Sequence, residues 1–361
     1  KKIDESRDWL FGYLTYDLKN DIEELFSNNI DKQCFPKIHF FVPEIIIKVK
    51  NKNVVFLYDD HYSDAEIDIV FHAICATIIN KEIFEPVQIK SRLTKSEYVN
   101  SVKEIQKHIQ AGDIYEMNYC QEFYVDKVTI DPFNLFAKLN SLSNAPFSSL
   151  YRLKHHFCLC ASPERYLKKK GSKIISQPIK GTIKKSNNHI IDKQNKQQLL
   201  NSSKDFSENV MIVDLVRNDL SRIAKKNTVN VDELVALYSY NDVHHLISTI
   251  SCELDSCNTI VDAIKASFPM GSMTGAPKIK AMELIEKFEN NLRGVYSGSI
   301  GYIQPNQDFD FNVVIRSIFY NQKSHYLSFI VGGAITIESD PESEYEECLV
   351  KAKSIFNVLS Q

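Results

Sequence analysis

Two pairs of acidic residues have a spacing that could bind a metal ion. Asp205 and Glu208 lie three residues apart in one predicted helix, and Glu344 and Glu347 have the same spacing in another. Side chains three positions apart share a helix face, so two such faces brought together would offer oxygen ligands to Mg²⁺. Acidic pairs are also common on solvated helices, and Glu347 could instead pair with Lys351, so the spacing alone leaves both interpretations open.

A lysine in the segment 177–182 could act as a nucleophile. Lys180 lies among isoleucines and directly before Gly181. Loss of solvation would lower the pKa of the amine and make it more nucleophilic. Gly181 permits close approach of the backbone, and Thr182 adds a hydrogen-bond donor. A lysine beside a turn is usually an ordinary surface residue, and this alternative stays open.

Two glycine-containing segments could bind a ligand through the backbone. Residues 268–278 form a loop of small residues that runs into a predicted helix, where exposed amides could bind a carboxylate or phosphate. The loop is not a Walker A motif, because the interval between Gly271 and Gly275 is wrong and no Gly-Lys-Ser/Thr follows. A tight structural turn is the alternative. Gly332 and Gly333 follow a strand-like run and could present donors or form a bulge.

The composition limits the classes of partner. In a chain of 361 residues, 43 Lys and Arg nearly balance 46 Asp and Glu, so no strong field attracts nucleic acid. No apolar run approaches the roughly 18 residues of a membrane span. The eight cysteines include no CxxC pair, which favours free thiols in a reducing cytoplasm. The opening residues include neither an initiator Met nor a signal peptide, so we expect the chain to begin inside a longer one.

The elements that must position these residues alternate between helices and groups of strands. A capping box at Thr94 and Glu97 predicts a helix up to Gly112. Two strand-like runs flank a turn at 51–53, and an alternating strand follows from Tyr115. The polar segment 184–204 is predicted to be a loop. Further helices are predicted over about 205–224, 259–267, 276–289 and from Pro341 to Leu359, and strands over 149–183, 296–303, 309–320 and 324–337. Adjacent strands with grouped helices favour an α+β fold with mostly antiparallel sheets.

These segments, in this order, resemble component I of the chorismate-utilising synthases, the family of anthranilate synthase and aminodeoxychorismate synthase. The segments that carry the resemblance are 12–17, 112–115, 162–165, 177–182, 208–220, 245–248, 268–278 and 340–347. Anthranilate synthases typically have Ala at the position of Lys180, whereas the aminodeoxychorismate synthase subfamily has the Pro-Ile-Lys-Gly-Thr of residues 178–182. Isochorismate and salicylate synthases place a water-activating Lys near the position of Glu116, where this chain has none.

The resemblance implies a fold and a set of ligands. It implies one intertwined α+β domain over 1–361, truncated at its N-terminal side and with a catalytic core of about 92–361. Two mostly antiparallel sheets would pack face to face with helices outside and the active site between them. Chorismate would bind with Mg²⁺, with Glu208 and Glu347 as direct metal ligands and Asp205 and Glu344 as their water-linked partners. The implied substrate contacts are Gly181, Thr182, Ser272, Tyr296, Arg316, Gly332, Gly333, Ala334 and Asn118.

The resemblance also implies a reaction. Glu164 would protonate the departing C4 hydroxyl, which requires a raised pKa in a secluded pocket. Lys180 would add at C2, and ammonia would then attack C4 to give 4-amino-4-deoxychorismate, on the route to p-aminobenzoate and folate. His245 would act as a polar positioning group. The chain has no glutaminase signature, so a separate glutamine amidotransferase subunit would supply ammonia to this transferase.

Two alternatives to this hypothesis stay open. The chain also differs from the usual family sequence at Glu116 and Ala334. The chain could be another chorismate enzyme, most plausibly anthranilate synthase component I, or a non-catalytic relative that keeps the fold as a binding module. Glu116 stands where the family usually has Gln, which adds a carboxylate near the nucleophile. Ala334 replaces the third Gly of a glycine-rich turn, where the backbone is therefore less free.

Overall fold

The computed structural model describes residues 8–78, 86–240 and 243–360. The opening residues, on which the expectation of a longer chain partly rests, lie outside this described part. The helices of the described residues are α1 (Lys19–Ile22), α2 (Asp64–Ala76), α3 (Lys95–Gln110), α4 (Pro132–Ser143), α5 (His189–Leu200), α6 (Ser203–Ser221), α7 (Ile260–Ser267), α8 (Lys278–Phe288) and α9 (Pro341–Leu359). Short 3₁₀ helices lie at Tyr16–Leu18 and Gly271–Met273.

The strands of the described residues form two large sheets and a separate hairpin. In chain order they are β1 (Leu10–Leu14), β2 (Ile38–Phe41), β3 (Ile45–Lys50), β4 (Asn53–Tyr58), β5 (Lys90–Ser91), β6 (Glu116–Val125), β7 (Phe147–Leu153), β8 (His156–Ser162), β9 (Arg165–Lys170), β10 (Lys173–Gln177), β11 (Ile179–Lys184), β12 (Asn230–Ser239), β13 (Val243–Glu253), β14 (Gly275–Ala276), β15 (Ser299–Ile303), β16 (Phe309–Asn312), β17 (Ser317–Asn321) and β18 (Tyr326–Ile335).

The chain passes back and forth between the two large sheets. The first sheet has the order β11-β13-β10-β9-β16-β15-β1-β2, with β12 also paired to β13. The second has the order β14-β6-β18-β17-β8-β7, with β5 paired to β6. The strand pairs of both sheets are antiparallel. Consecutive parts of the sequence therefore belong to different sheets, although the single intertwined domain over 1–361 stays a prediction.

The residues of β8 show how the layers pack. Cys160 belongs to an apolar core that includes Tyr13 of the first sheet. The adjacent Leu159 belongs to a second core with Tyr98 of α3 and Ile355 of α9. Successive side chains of a strand point to opposite faces, so β8 contacts the other sheet on one face and helices on the other. The predicted α+β fold, with two packed and mostly antiparallel sheets and helices outside, is confirmed.

Local signals predicted many element boundaries correctly. Thr94 accepts a hydrogen bond from the Glu97 amide, and the Glu97 carboxylate accepts one from the Thr94 amide, as a capping box requires. Asp340 caps α9, and the hairpin of β3 and β4 turns at residues 51 and 52. No helix in the described ranges combines the length and apolar character that would let it cross a membrane.

Two predictions about secondary structure were wrong. Residues 184–204 are not a loop, because α5 occupies most of them and begins after the cap Asn188. Only Asp192 and Leu199 of α5 are buried, so this helix has no apolar repeat to reveal it. The strand expected over 309–320 is two strands, β16 and β17, and the interruption between them includes Arg316.

Candidate active site

A cavity of about 790 Å³ brings the predicted residues together. Its walls come from both sheets and from helices α6 and α9. The predicted residues that line it are Asn118, Glu164, Lys180, Gly181, Thr182, Asp205, Glu208, His245, Ser272, Tyr296, Arg316, Gly332, Gly333, Ala334 and Glu347. Glu344 lies directly behind this wall, since a Cβ atom added to Gly333 would be 3.1 Å from its Oε2.

Lys180 is buried and held by carboxylates. Its Nζ lies 2.9 Å from Glu116 Oε1 and 3.8 Å from Glu208 Oε2. Burial alone would lower the pKa of this amine, but the charges of Glu116, Glu208 and Glu164 outweigh burial and raise it. The expected lowering of the Lys180 pKa was therefore wrong. The resting amine is charged and must lose a proton before it can attack.

Glu164 has the properties expected of a general acid. It lies just after β8, where its amide donates to Ser162 Oγ at 3.1 Å, and it is 4% exposed. Burial raises the pKa of Glu164 from 4.5 to about 7, although a hydrogen bond from Ser272 Oγ to Oε1 (2.7 Å) and the charge of Lys180 lower it. Part of the Glu164 population is therefore protonated near neutral pH, as proton donation requires.

His245 is a neutral partner of Thr182. The two residues face each other in the β11–β13 pair, and His245 Nδ1 lies 2.8 Å from Thr182 Oγ1. Burial, together with the nearby charge of Arg316, lowers the pKa of His245 to about 4. A ring that stays neutral at pH 7 is not available there as an imidazolium acid, which agrees with a positioning role.

Lysines accompany the predicted metal-binding carboxylates. Lys351 Nζ lies 2.7 Å from Glu347 Oε1, so the ion pair considered from the sequence is present. Burial raises the pKa of Glu208 to about 7, although the charge of Lys180 lowers it. Glu208 Oε1 is buried and has no hydrogen-bond partner in the described part of the chain. This carboxylate therefore has unused capacity to bind a cation.

The acidic residues fit Mg²⁺ in chemistry. Mg²⁺ prefers oxygen ligands and is usually bound by one or two carboxylates together with water and substrate oxygens. Glu208 offers the unpartnered oxygen that such an ion needs. Across the described ranges, however, three or more potential metal ligands do not converge into a ready-made site. The carboxylates are therefore suitable ligands for Mg²⁺, but the ammonium groups of nearby lysines neutralise their charge.

Arg316 is a candidate binding group for a carboxylate. It has a φ of +54°, a left-handed conformation that is rare for residues other than glycine. Its guanidinium lines the cavity and has no hydrogen bond or ion pair to residues of the described ranges. Burial lowers the pKa of Arg316, and electrostatic interactions with Tyr296 and Glu347 partly oppose this effect. An unpaired guanidinium in a cavity, carried by a strained backbone, suits a bound anion.

The glycine-rich turn is part of a regular strand. Gly332, Gly333 and Ala334 lie in β18 and pair with residues 118–120 of β6. A Cβ atom at Gly332 would lie 2.2 Å from Tyr119 O, so only glycine fits there. Ala334 pairs with Asn118 in the same ladder, and the structure accommodates its methyl group.

A buried ion pair supports the site and was missed from the sequence. Arg293 forms a two-pronged pair with Glu289, with contacts of 2.6 and 2.9 Å. The same guanidinium donates to Asn118 O at 2.9 Å and to Met273 O at 2.6 Å. It therefore connects the strand and the loop that carry predicted substrate contacts. The Glu-Arg spacing of four residues was the available signal, but such spacing is common on exposed helices.

Helix α6 has a second face outside the cavity. Asp205 and Glu208 line the cavity, whereas Phe206 and Val210 line a separate hollow of about 750 Å³ on the outer side. Phe206 is 48% exposed.

Comparisons with known proteins agree with this geometry. The model of the family of chorismate binding enzymes matches residues 1–357. Aminodeoxychorismate synthase component 1 from Salmonella typhimurium is 38% identical over 270 residues, which are 75% of this chain and 59% of that protein. Anthranilate synthase component I-like protein from Synechocystis is 33% identical over 356 residues, 97% of this chain and 72% of that protein.

A solved structure gives the same result for the fold. Anthranilate synthase component I from Streptococcus pneumoniae aligns with a TM-score of 0.86 and 28% identity, over 96% of this chain and 80% of that one. The chain spans 59% of the Salmonella relative and 37% of a Schizosaccharomyces pombe relative that is 41% identical. The family match extends over nearly the whole sequence, and on this ground the chain belongs to the family of chorismate binding enzymes.

Proposed function

We propose that this chain aminates chorismate at C4 and forms 4-amino-4-deoxychorismate. The observation that carries the proposal is that Lys180, a buried amine, shares one cavity with Glu164, an acid with a pKa of about 7. The name of the Salmonella relative, aminodeoxychorismate synthase component 1, supports the same reaction. The Pro-Ile-Lys-Gly-Thr of residues 178–182 supports it independently of the names.

The cavity residues divide the reaction into two displacements. Glu164 gives its proton to the C4 hydroxyl, which leaves as water, while Lys180 Nζ forms a bond to C2 and the ring double bonds shift. Ammonia then forms a bond to C4, the C2–N bond breaks, and Lys180 is released. Glu116 is the carboxylate hydrogen-bonded to Lys180 at 2.9 Å and is the nearest acceptor for the proton that the amine must lose. A covalent nucleophile replaces one difficult step by two easier ones.

The two carboxylates of chorismate have separate candidate contacts. Arg316 and Tyr296, with the backbone of 332–334, would bind the enolpyruvyl carboxylate. Gly181, Thr182 and Ser272 would contact the ring carboxylate, with His245 holding Thr182 in place. The planar guanidinium of Arg316 suits this role because it can bind both oxygens of a carboxylate.

The acidic residues would hold Mg²⁺. Glu208 and Glu347 are the proposed direct ligands, and Asp205 and Glu344 their water-linked partners. The ion, when bound, offsets the negative charge that the ring carboxylate brings into an acidic cavity. The chain's own contribution is to orient these carboxylates from two helices, α6 and α9.

The ammonia source and location are further parts of the proposal. A separate glutamine amidotransferase subunit would supply ammonia, and the designation component 1 of the Salmonella relative supports a partner. The eight cysteines are free, five of them buried, which is consistent with a reducing cytoplasm.

The product identifies the reaction. The protein is incubated with chorismate, Mg²⁺ and ammonium, and the product is identified by mass and chromatography. We expect 4-amino-4-deoxychorismate, and no product when Lys180→Ala is used. Intact mass should show a substrate adduct on the original protein and none on this variant. Anthranilate as the main product would contradict the proposal.

Anthranilate synthesis is the second candidate function. The structural similarity to anthranilate synthase component I, with a TM-score of 0.86, favours it. Lys180 argues against it, since anthranilate synthases typically have Ala at this position. The same product assay separates the two reactions, because anthranilate is aromatic and lacks the enolpyruvyl group.

A further inference from the structure

Lys204 contacts carboxylates of two different helices. Its Nζ lies 2.8 Å from Glu344 Oε1 on α9 and 3.8 Å from Glu208 Oε1 on α6. The lysine itself belongs to α6 and lines the cavity. One ammonium group therefore lies between two of the four proposed metal-binding residues.

These carboxylates need a positive charge nearby. Glu208 and Glu344 are both buried, and leaving a buried carboxylate without a counter-charge is strongly unfavourable. Glu344 Oε1 also accepts a hydrogen bond from Ser339 Oγ at 2.7 Å. Glu208 Oε1 lacks any hydrogen-bond partner among the described residues, and Lys204 at 3.8 Å is the cation that faces it.

We propose that Lys204 is a built-in counter-ion that occupies the place of the divalent cation between Glu208 and Glu344, and that Mg²⁺ must displace it. This inference rests on the proposed use of Mg²⁺. A Mg²⁺ ion bound directly by Glu208 and through water by Glu344 would need the space between these two residues, so the ammonium group of Lys204 could not stay there. The side chain of Lys204 is 39% exposed and flexible, so its ammonium group can move into solvent when the ion arrives.

The arrangement has a consequence for affinity. Binding of Mg²⁺ and the contact of Lys204 with the two glutamates exclude each other, so each weakens the other by the same factor. A variant without the ammonium group should therefore bind the metal more tightly. This expectation is opposite to the one for a lysine that merely supports the fold of the site, whose removal would weaken metal binding.

Isothermal titration calorimetry with Mg²⁺, in the absence of chorismate, tests this inference on the purified protein. We compare the unmodified chain with Lys204→Met, which keeps the length of the side chain and removes its charge. The matched control is Lys353→Met, because Lys353 lines the same cavity and has no ion pair to these acids within the described ranges. We expect Lys204→Met to bind Mg²⁺ on the order of tenfold more tightly. Lys353→Met should change the affinity by at most about twofold.

Thermal unfolding provides a readout that does not depend on activity and checks that the variant is folded. Without metal, Lys204→Met should melt at a lower temperature, because two buried carboxylates lose a counter-charge. Added Mg²⁺ should raise its melting temperature more than that of the unmodified chain, in line with the tighter binding. Both results together would support the exchange of Lys204 for Mg²⁺.

Other outcomes would overturn the inference. Unchanged or weaker Mg²⁺ binding by Lys204→Met would do so, as would equal tightening by Lys353→Met or the absence of binding by every protein. The product assay judges the proposed amination separately. Formation of 4-amino-4-deoxychorismate by a chain whose Lys204→Met variant binds Mg²⁺ no more tightly would refute the counter-ion role alone.

Discussion

Replacing Glu164 by glutamine should stabilise the protein and strongly lower the proposed amination activity. Burial raises the pKa of this carboxyl group from 4.5 to about 7. At pH 8 the group must be ionised in the folded cavity, where its charge is poorly solvated. The glutamine side chain of the Glu164→Gln variant has nearly the same shape and carries no charge. Its amide oxygen can still accept the hydrogen bond that Ser272 Oγ donates to Oε1 of the glutamate.

The size of the effect follows from the pKa shift. One pKa unit corresponds to about 1.4 kcal/mol, so a shift from 4.5 to about 7 lowers the free energy of unfolding by up to about 3 kcal/mol at pH 8. The sign depends on which state binds more protons. Between pH 4.5 and 7 the folded state keeps a proton that the unfolded state has lost, so stability falls as pH rises through this window and is constant above it.

Urea-induced unfolding at several pH values measures this difference. Without Mg²⁺ and chorismate, the unfolding free energy of Glu164→Gln should equal that of the unmodified chain near pH 4.5. At pH 8 the unfolding free energy of the variant should exceed that of the unmodified chain by up to about 3 kcal/mol. The exposed Glu338→Gln serves as the control, for which we expect only a small difference in unfolding free energy.

Activity should change in the opposite direction. Loss of the proton donor should lower kcat by about 10²- to 10⁴-fold. In the unmodified enzyme, kcat/KM for chorismate at a fixed free ammonia concentration should fall above pH 7, because Glu164 loses its proton. A stability difference that is the same at pH 5 and pH 8, or a less stable variant at pH 8, would refute the raised pKa and with it the general-acid argument.

Three further predictions concern anion binding and support of the site. Arg316→Lys should raise the KM for chorismate by about 10- to 100-fold with a smaller change in kcat, because an ammonium group cannot bind a carboxylate with two parallel hydrogen bonds. Steady-state kinetics measures both constants, and an unchanged KM would show that Arg316 does not contact the substrate. Arg293→Leu should lower the free energy of unfolding by about 3–5 kcal/mol, because Glu289 is left as a buried, unpaired charge, and denaturant unfolding at pH 7 tests this. Gly332→Ala should destabilise by about 1–3 kcal/mol, since the new Cβ would lie 2.2 Å from Tyr119 O; an unchanged melting curve would contradict the close approach of β18 to β6.

Features encoded by neighbouring residues could be predicted from the sequence. The helix that starts after Thr94 and the cap of α9 at Asp340 depend on contacts within three residues. The composition of the cavity was also predictable, because the resemblance identified its segments together. Helix α5 was not predictable in this way, since its exposed surface has no apolar repeat and it packs against the preceding strand β11 and the later strand β13 with only two buried residues.

The charge state of Lys180 could not be predicted, because it depends on residues distant in sequence. Glu116 comes from β6 and Glu208 from α6, and both approach the amine only in the folded chain. A sequence segment indicates that an amine is buried but does not show which charges surround it. The Glu289–Arg293 pair illustrates the same limit, since its contacts with Asn118 and Met273 join segments that are more than 150 residues apart.

The two faces of helix α6 offer a way to observe the cavity by fluorescence. The chain has a single tryptophan, Trp9, in strand-adjacent sequence far from this helix along the chain. With Trp9 replaced by Phe, a Phe206→Trp variant would carry its only indole on the outer face, one residue from Asp205 and two from Glu208. Emission from that indole would respond to any shift of the helix that accompanies occupation of the cavity. Metal and substrate binding could then be followed in real time by intrinsic tryptophan fluorescence, without any change to the reacting groups.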